Sequence, residues 1–112
     1  MKIINKKIGH VIIITPQFPL VDGDNLNNLK HEIFNHLQNG ETKVVIDCSK
    51  VSHMDSCGLE CLLDFFEETK EKAGGVKLCK VNSLCSEILL CTRMSTLFEI
   101  FKESEDAVRS FL

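Results

Sequence analysis

The hydrophobic positions of this chain switch repeatedly between a period of about two and a period of about 3.6 residues. Ile3 to Ile8 and Val11 to Thr15 are β-branched-rich stretches separated by Gly9-His10, which predicts a hairpin. Pro16, Pro19 and Gly23 then punctuate a loop. Leu26, Leu29, Ile33 and Leu37 recur at helical spacing, with Asp22 or Asp24 able to cap the helix and Asn39-Gly40 able to end it. Lys43 to Asp47 is a short apolar run of the kind buried on both faces of a parallel sheet.

A second helix is expected from about Cys57 to Lys72, closed by Gly74-Gly75. Its buried stripe reads as Leu59, Leu62, Leu63, Phe66 and Ala73, with Glu60, Asp64, Glu67, Glu68 and Glu71 towards water. Val76 to Val81 reads as a strand, Ser83 as the cap of a short helix running to about Cys91, and Leu97 to Phe101 as the last strand. Ser104-Glu105-Asp106 opens a final helix, its acids placed where the helix dipole favours them, packed down by Ala107, Val108, Phe111 and Leu112. The order β-β-α-β-α-β-α-β-α calls for an α/β fold: one mostly parallel mixed sheet with an N-terminal hairpin and about four helices. There are no repeats and no linker, so residues 1–112 are expected to form one domain.

Composition narrows the function classes. The 44% apolar and 26% charged shares of 112 residues are those of an ordinary globular protein. A formal net charge of −3 gives no basic footprint for nucleic acid, and no apolar run is long enough for a bilayer. The N-terminal residues lack a secretory cleavage pattern, so a reducing, cytoplasmic location is expected. The six cysteines, Cys48, Cys57, Cys61, Cys79, Cys85 and Cys91, form no C-x-x-C pair and read mainly as small buried hydrophobes. No metal or cofactor is expected; His31 and His36, five apart, read as surface residues.

The segment that stands out is Val44-Val45-Ile46-Asp47-Cys48-Ser49-Lys50-Val51-Ser52-His53-Met54-Asp55-Ser56-Cys57-Gly58-Leu59. A buried strand leads through a short loop to Asp-Ser-x-Gly-Leu at the start of a helix, on the edge where the carboxyl ends of parallel strands gather sites. Ser56 reads either as a capping residue, worth about 1 kcal/mol against alanine, or as a phosphorylatable hydroxyl. Unpaired N–H groups and the dipole at a helix N-terminus accommodate a phosphate. That phosphate adds about −1.5 to −2 charges where a partner would dock. Gly58 leaves room for another backbone to approach. Asp55 either orients the hydroxyl or stands solvated. Asp47 is expected to cap the loop backbone.

Enzyme readings are weaker. Met54 stands where a nucleophile elbow needs glycine, and His53 reads as a solvated loop residue. Thr15-Pro16 stand where a receiver domain needs acids, and no glycine-rich phosphate loop is present.

The same segment resembles the hallmark of STAS domains of the anti-sigma-factor-antagonist type, in which a strand ending in Asp-Leu-Ser precedes an Asp-Ser-x-Gly phosphoacceptor motif and a Leu-rich helix. The likeness extends to Leu20-Val21-Asp22, to Ala73-Gly74-Gly75-Val76-Lys77-Leu78, and to Leu97-Phe98-Glu99-Ile100-Phe101 with Ser104-Glu105-Asp106-Ala107. Cys57 and Glu60 depart from the small residue and glycine common in the family. The resemblance implies a non-enzymatic partner switch. Unphosphorylated, the chain would bind an anti-sigma factor that is also a serine kinase of the histidine-kinase-like ATPase type. Phosphorylation of Ser56 would release it, and a serine phosphatase would reset the cycle. Asp22, Asp55, Ser56, Cys57 and Gly58 would form the partner-binding surface. Two other expectations keep the fold and change the role. One is an interaction subunit of a transporter or signalling assembly without a phosphorylation cycle; the other is a thiol sensor at Cys57 and Cys61.

Overall fold

The computed structural model describes residues 2–112. β1 (Ile3–Ile8) and β2 (Val11–Pro16) form the antiparallel hairpin, turning at Gly9, whose φ of 61° lies in the left-handed region that glycine enters without strain. β3 (Lys43–Asp47), β4 (Gly75–Cys79) and β5 (Ile100–Phe101) add in parallel, giving the spatial order β1-β2-β3-β4-β5. Between them run α1 (Asp24–Gln38), α2 (Ser56–Thr69) and α3 (Ser83–Cys91), and α4 (Ser104–Arg109) follows β5.

The two-residue period of the strands sorts the core into two layers. Ile12, Ile14, Val44, Ile46 and Leu78 point into the larger cluster, with Leu29, Ile33, Leu62, Phe65 and Leu89 from α1, α2 and α3. Val11, Ile13, Val45 and Cys79 point the other way and meet Ala107 and Val108 of α4. β2, β3 and β4 are therefore covered on both faces, which is why Val11–Ile14 of β2 and Val44–Ile46 of β3 read as continuous apolar runs.

Several element details differ from expectation. On α2 the buried residues are Gly58, Cys61, Leu62, Phe65 and Thr69; Leu59 and Phe66 sit on the flanks, Leu63 is 37% exposed and Ala73 lies in an exposed turn. Thr69 tolerates burial because its hydroxyl donates to the Phe65 carbonyl at 2.8 Å. α2 ends at Thr69 rather than Lys72, and Gly74-Gly75 instead leads into β4. There a Cβ on Gly74 would fall 2.8 Å from the Thr42 Oγ1, while the Gly75 N–H donates to the Thr42 carbonyl at 2.8 Å.

α1 has Gly23 at its N-cap and no side-chain cap, so neither Asp22 nor Asp24 fills that role. α3 is capped by Asn82, not Ser83: the Asn82 side chain accepts from the Cys85 N–H at 2.8 Å. Strand pairing at the last edge shrinks to Ile100–Phe101: Leu97 instead caps the 3₁₀ turn Met94–Thr96, its N–H donating to the Met94 carbonyl at 3.0 Å. Leu112 is 91% exposed and packs nothing down. His36 is half-buried, its Nδ1 2.9 Å from the Glu41 carboxylate.

Candidate functional site

Two loops leave the carboxyl edge of the sheet side by side: the one from β2 to α1 and the one from β3 to α2. An isolated parallel bridge joins them at Leu20 and Met54. The Leu20 N–H donates to the His53 carbonyl, and the Asp55 N–H donates to the Leu20 carbonyl, both at 3.1 Å. The second loop is held from its other side by α3, where the Asn82 amide donates to the Val51 and Ser52 carbonyls at 3.2 and 3.1 Å. At its start, Asp47 accepts from the Ser49 N–H at 2.9 Å, the expected loop cap.

Asp55 is the N-cap of α2. One carboxylate oxygen accepts from the Gly58 N–H at 2.9 Å; the other accepts from the Asp22 N–H at 3.0 Å. These bonds, the Asp22 one foremost, hold its carboxyl below the usual aspartate range. The carboxylate thus clasps helix to loop and is neither a free solvated group nor dedicated to the neighbouring hydroxyl. Ser56 consequently occupies the first helical position, exposed, and does not cap.

Gly58 is buried where α2 crosses Leu20. A Cβ there would overlap the Leu20 carbonyl oxygen and lie 2.9 Å from the Leu20 carbonyl carbon and Cβ. The backbone that comes close is the chain's own, and it brings Asp22 beside the start of α2. Of the five residues expected to form a binding surface, Asp22 and Ser56 are exposed, Asp55 and Cys57 half-buried, and Gly58 buried. All five meet at this rim. Gly58 shapes it without offering a side chain.

Beside Ser56, a groove of about 170 Å³ runs between α1 and α2, lined among others by Asp22, Lys30, Cys57, Glu60, Cys61 and Asp64. Lys30 pairs with Asp64 at 2.8 Å, which leaves Asp22 and Glu60 as the unneutralised charges of the lining. Sequence reasoning read Glu60 and Asp64 as part of an acidic helix face, solvated or steering a basic partner; Lys30, distant in sequence, carried no signal. The thiols here are not primed as nucleophiles. Burial, and then the charges of Asp22, Asp55 and Glu60, push the Cys57 thiol up, and burial takes Cys61 to about 12. His53 is exposed, its ring nitrogen 2.9 Å from the Ser52 hydroxyl. No cluster of three metal-ligating side chains occurs among the described residues, and none of their helices is long and apolar enough to cross a membrane.

Comparison with known proteins agrees with this architecture. BtrV of Bordetella bronchiseptica, named as an anti-sigma factor antagonist, is 24% identical over 111 residues, covering 99% of this chain and 95% of that protein. A crystal structure of a Thermotoga maritima protein described as an anti-sigma factor antagonist superposes with a TM-score of 0.91 at 21% identity, covering 97% of this chain and 93% of the other. The Bacillus cell fate determinant SpoIIAA, solved in its phosphorylated form, matches with a TM-score of 0.76 at 16% identity, covering 98% and 99% of the two chains. The family model of the STAS domain matches residues 2–107, nearly the whole length, and the chain belongs to the STAS-domain family.

Proposed function

We propose that this chain is an anti-sigma factor antagonist, a protein-binding module switched by phosphorylation of Ser56. The observation that carries the reading is an exposed serine hydroxyl on a rigid rim. Ser56 opens α2, the Asp55 clasp fixes that helix end, and the Leu20–Met54 bridge sets Asp22 alongside. A partner that docks on this rim senses the charge of one side chain directly. Phosphate would add about −1.5 to −2 charges to a surface already carrying Asp22, Asp55 and Glu60. BtrV and the Thermotoga maritima protein are both named as anti-sigma factor antagonists, which supports the choice of partner.

In this reading the unphosphorylated chain binds an anti-sigma factor that is itself a serine kinase of the histidine-kinase-like ATPase type, in the cytoplasm. Phosphorylation dissociates the pair, and a serine phosphatase restores binding. A coupling of about 1–3 kcal/mol, or 5–150-fold in affinity, is the usual size of such a switch. No catalytic role falls to the chain itself. The Asp55 carboxylate accepts from two backbone N–H groups and the His53 ring lies 2.9 Å from the Ser52 hydroxyl, an arrangement that supports a structural use of both side chains.

The test is incubation with the kinase-type partner and ATP, followed by mass-spectrometric site mapping. Phosphate on Ser56, and its loss in Ser56→Ala, is the expected result. Modification elsewhere only, or an unmodified chain, would leave the transporter- or assembly-subunit reading in its place.

A further inference from the structure

The loop that delivers Ser56 is held from two sides. Towards α1 it is tied through the Leu20–Met54 bridge. On its other side stands Asn82, 31 residues after Val51 and 30 after Ser52. The chain leaves β4 by turning at Lys80, whose φ of 55° lies in the left-handed region that residues with side chains rarely adopt. Asn82 follows that turn and opens α3.

Both polar atoms of the Asn82 side chain are used. Its Oδ1 accepts from the Cys85 N–H at 2.8 Å and caps α3, while its Nδ2 donates to the Val51 and Ser52 carbonyls at 3.2 and 3.1 Å. The Val51 carbonyl is held a second time, by the Cys85 thiol with its Sγ at 3.7 Å. One exposed amide therefore fastens the start of α3 to the middle of the loop. Ser56 does not need these ties for its own local geometry, because the Asp55 cap sets the start of α2. They fix the backbone that borders it, which a partner on this rim meets together with the serine. A loop left loose must be ordered when the partner docks, at a cost in affinity.

Resting on the reading of Ser56 as the phosphorylated switch, we propose that Asn82 is a positioning residue for it: its amide holds the loop ready, so that the kinase docks without first ordering it. The variants are Asn82→Asp and Asn82→Ser. Both keep a good helix cap and lose the amide that donates to the two carbonyls. Two readouts are taken on the full chain. In hydrogen exchange, the Val51 and Asp55 N–H groups, bonded to the Cys48 and Leu20 carbonyls, should exchange about threefold faster or more, while amides in the middle of α2 keep their rates. With the kinase-type partner and ATP, the KM for the chain should rise about threefold or more and kcat should stay unchanged. Ile33→Val, a core truncation on α1 that lowers stability without touching the loop, should leave KM as in wild type.

Unchanged exchange at Val51 and Asp55 would overturn the proposal without any partner present. So would an unchanged KM, a fall in kcat alone, or an equal rise of KM in Ile33→Val, which would make the effect one of stability. A wild-type chain that the kinase does not phosphorylate on Ser56 would instead remove the reading of the switch, and this role of Asn82 with it.

Discussion

Replacing Gly58 with alanine adds one methyl group at the point where α2 crosses the Leu20 backbone. In an ordinary helix this change is favourable by up to about 1 kcal/mol, and the gain is smaller in a first turn such as that of Gly58. Here the new Cβ would overlap the Leu20 carbonyl oxygen and sit 2.9 Å from two Leu20 carbons. Restoring the carbons alone to ordinary contact needs a backbone shift of about 0.5 Å in a close-packed interior, and the oxygen needs more. Backbone cannot rotate away as a side chain would. The shift opens the bridge made by the Leu20 N–H to His53 and the Asp55 N–H to Leu20, both at 3.1 Å.

Two such bonds, at about 0.5–1.5 kcal/mol each, outweigh the propensity gain, leaving a net loss of roughly 1–2 kcal/mol. An unfolding entropy of about 2.1 cal/mol/K per residue, over 112 residues, converts that into a Tm lower by roughly 4–8 °C. The assay is a thermal scan of Gly58→Ala beside Glu60→Ala, an exposed change on the same helix that should shift Tm by less than about 2 °C. An unchanged or raised Tm for Gly58→Ala would refute the reasoning, since helix propensity would then be winning over the close approach.

Ser56→Asp should move Tm by less than about 2 °C, because an acid in the first helical turn is compatible with the dipole; a large loss would mean that any binding defect reflects unfolding. Asp55→Asn leaves one of the Asp22 and Gly58 N–H groups facing an amide nitrogen, so Tm should fall at neutral pH. The Asp55 carboxyl titrates lower in the folded chain than its usual 3.8. Its stabilisation is therefore fully present above that value and lost as pH falls through the folded one. Thermal scans from pH 7 to 3 should show a steeper acid decline in wild type than in Asp55→Asn; parallel curves would contradict the clasp. Phe65→Ala, which empties the place of a fully buried ring that meets Phe34 edge-on at 5.7 Å, should cost about 3–5 kcal/mol by denaturant titration.

How much of this was legible in the sequence depends on where each signal is encoded. The stripe of α1 was readable because Leu26, Leu29, Ile33 and Leu37 stand nearly alone among polar neighbours. On α2, apolar residues at 59, 62, 63, 65 and 66 wrap most of the helix, while the buried face is completed by Gly58, Cys61 and Thr69, which do not announce themselves as core. Asp55 and Ser56 are adjacent and both cap helices well, so local pattern could not choose between them. The choice is made by the Asp22 N–H, 33 residues earlier in the chain. Lys77 shows the same limit: its ammonium lies 4.1 Å from the Phe111 ring centroid and 2.7 Å from the Ser110 hydroxyl, a tie from β4 to the segment after α4 that no local window contains.

The placement of Ser56 on the exposed rim was readable because a strand, a loop and a helix start in succession fix which sheet edge receives the residue. Its chemistry there is decided by one titration: the affinity of a purified kinase-type anti-sigma factor for the chain unmodified and stoichiometrically phosphorylated on Ser56. The account predicts that phosphorylation weakens binding by fivefold or more. Affinities that coincide within error, with both forms folded, would contradict it.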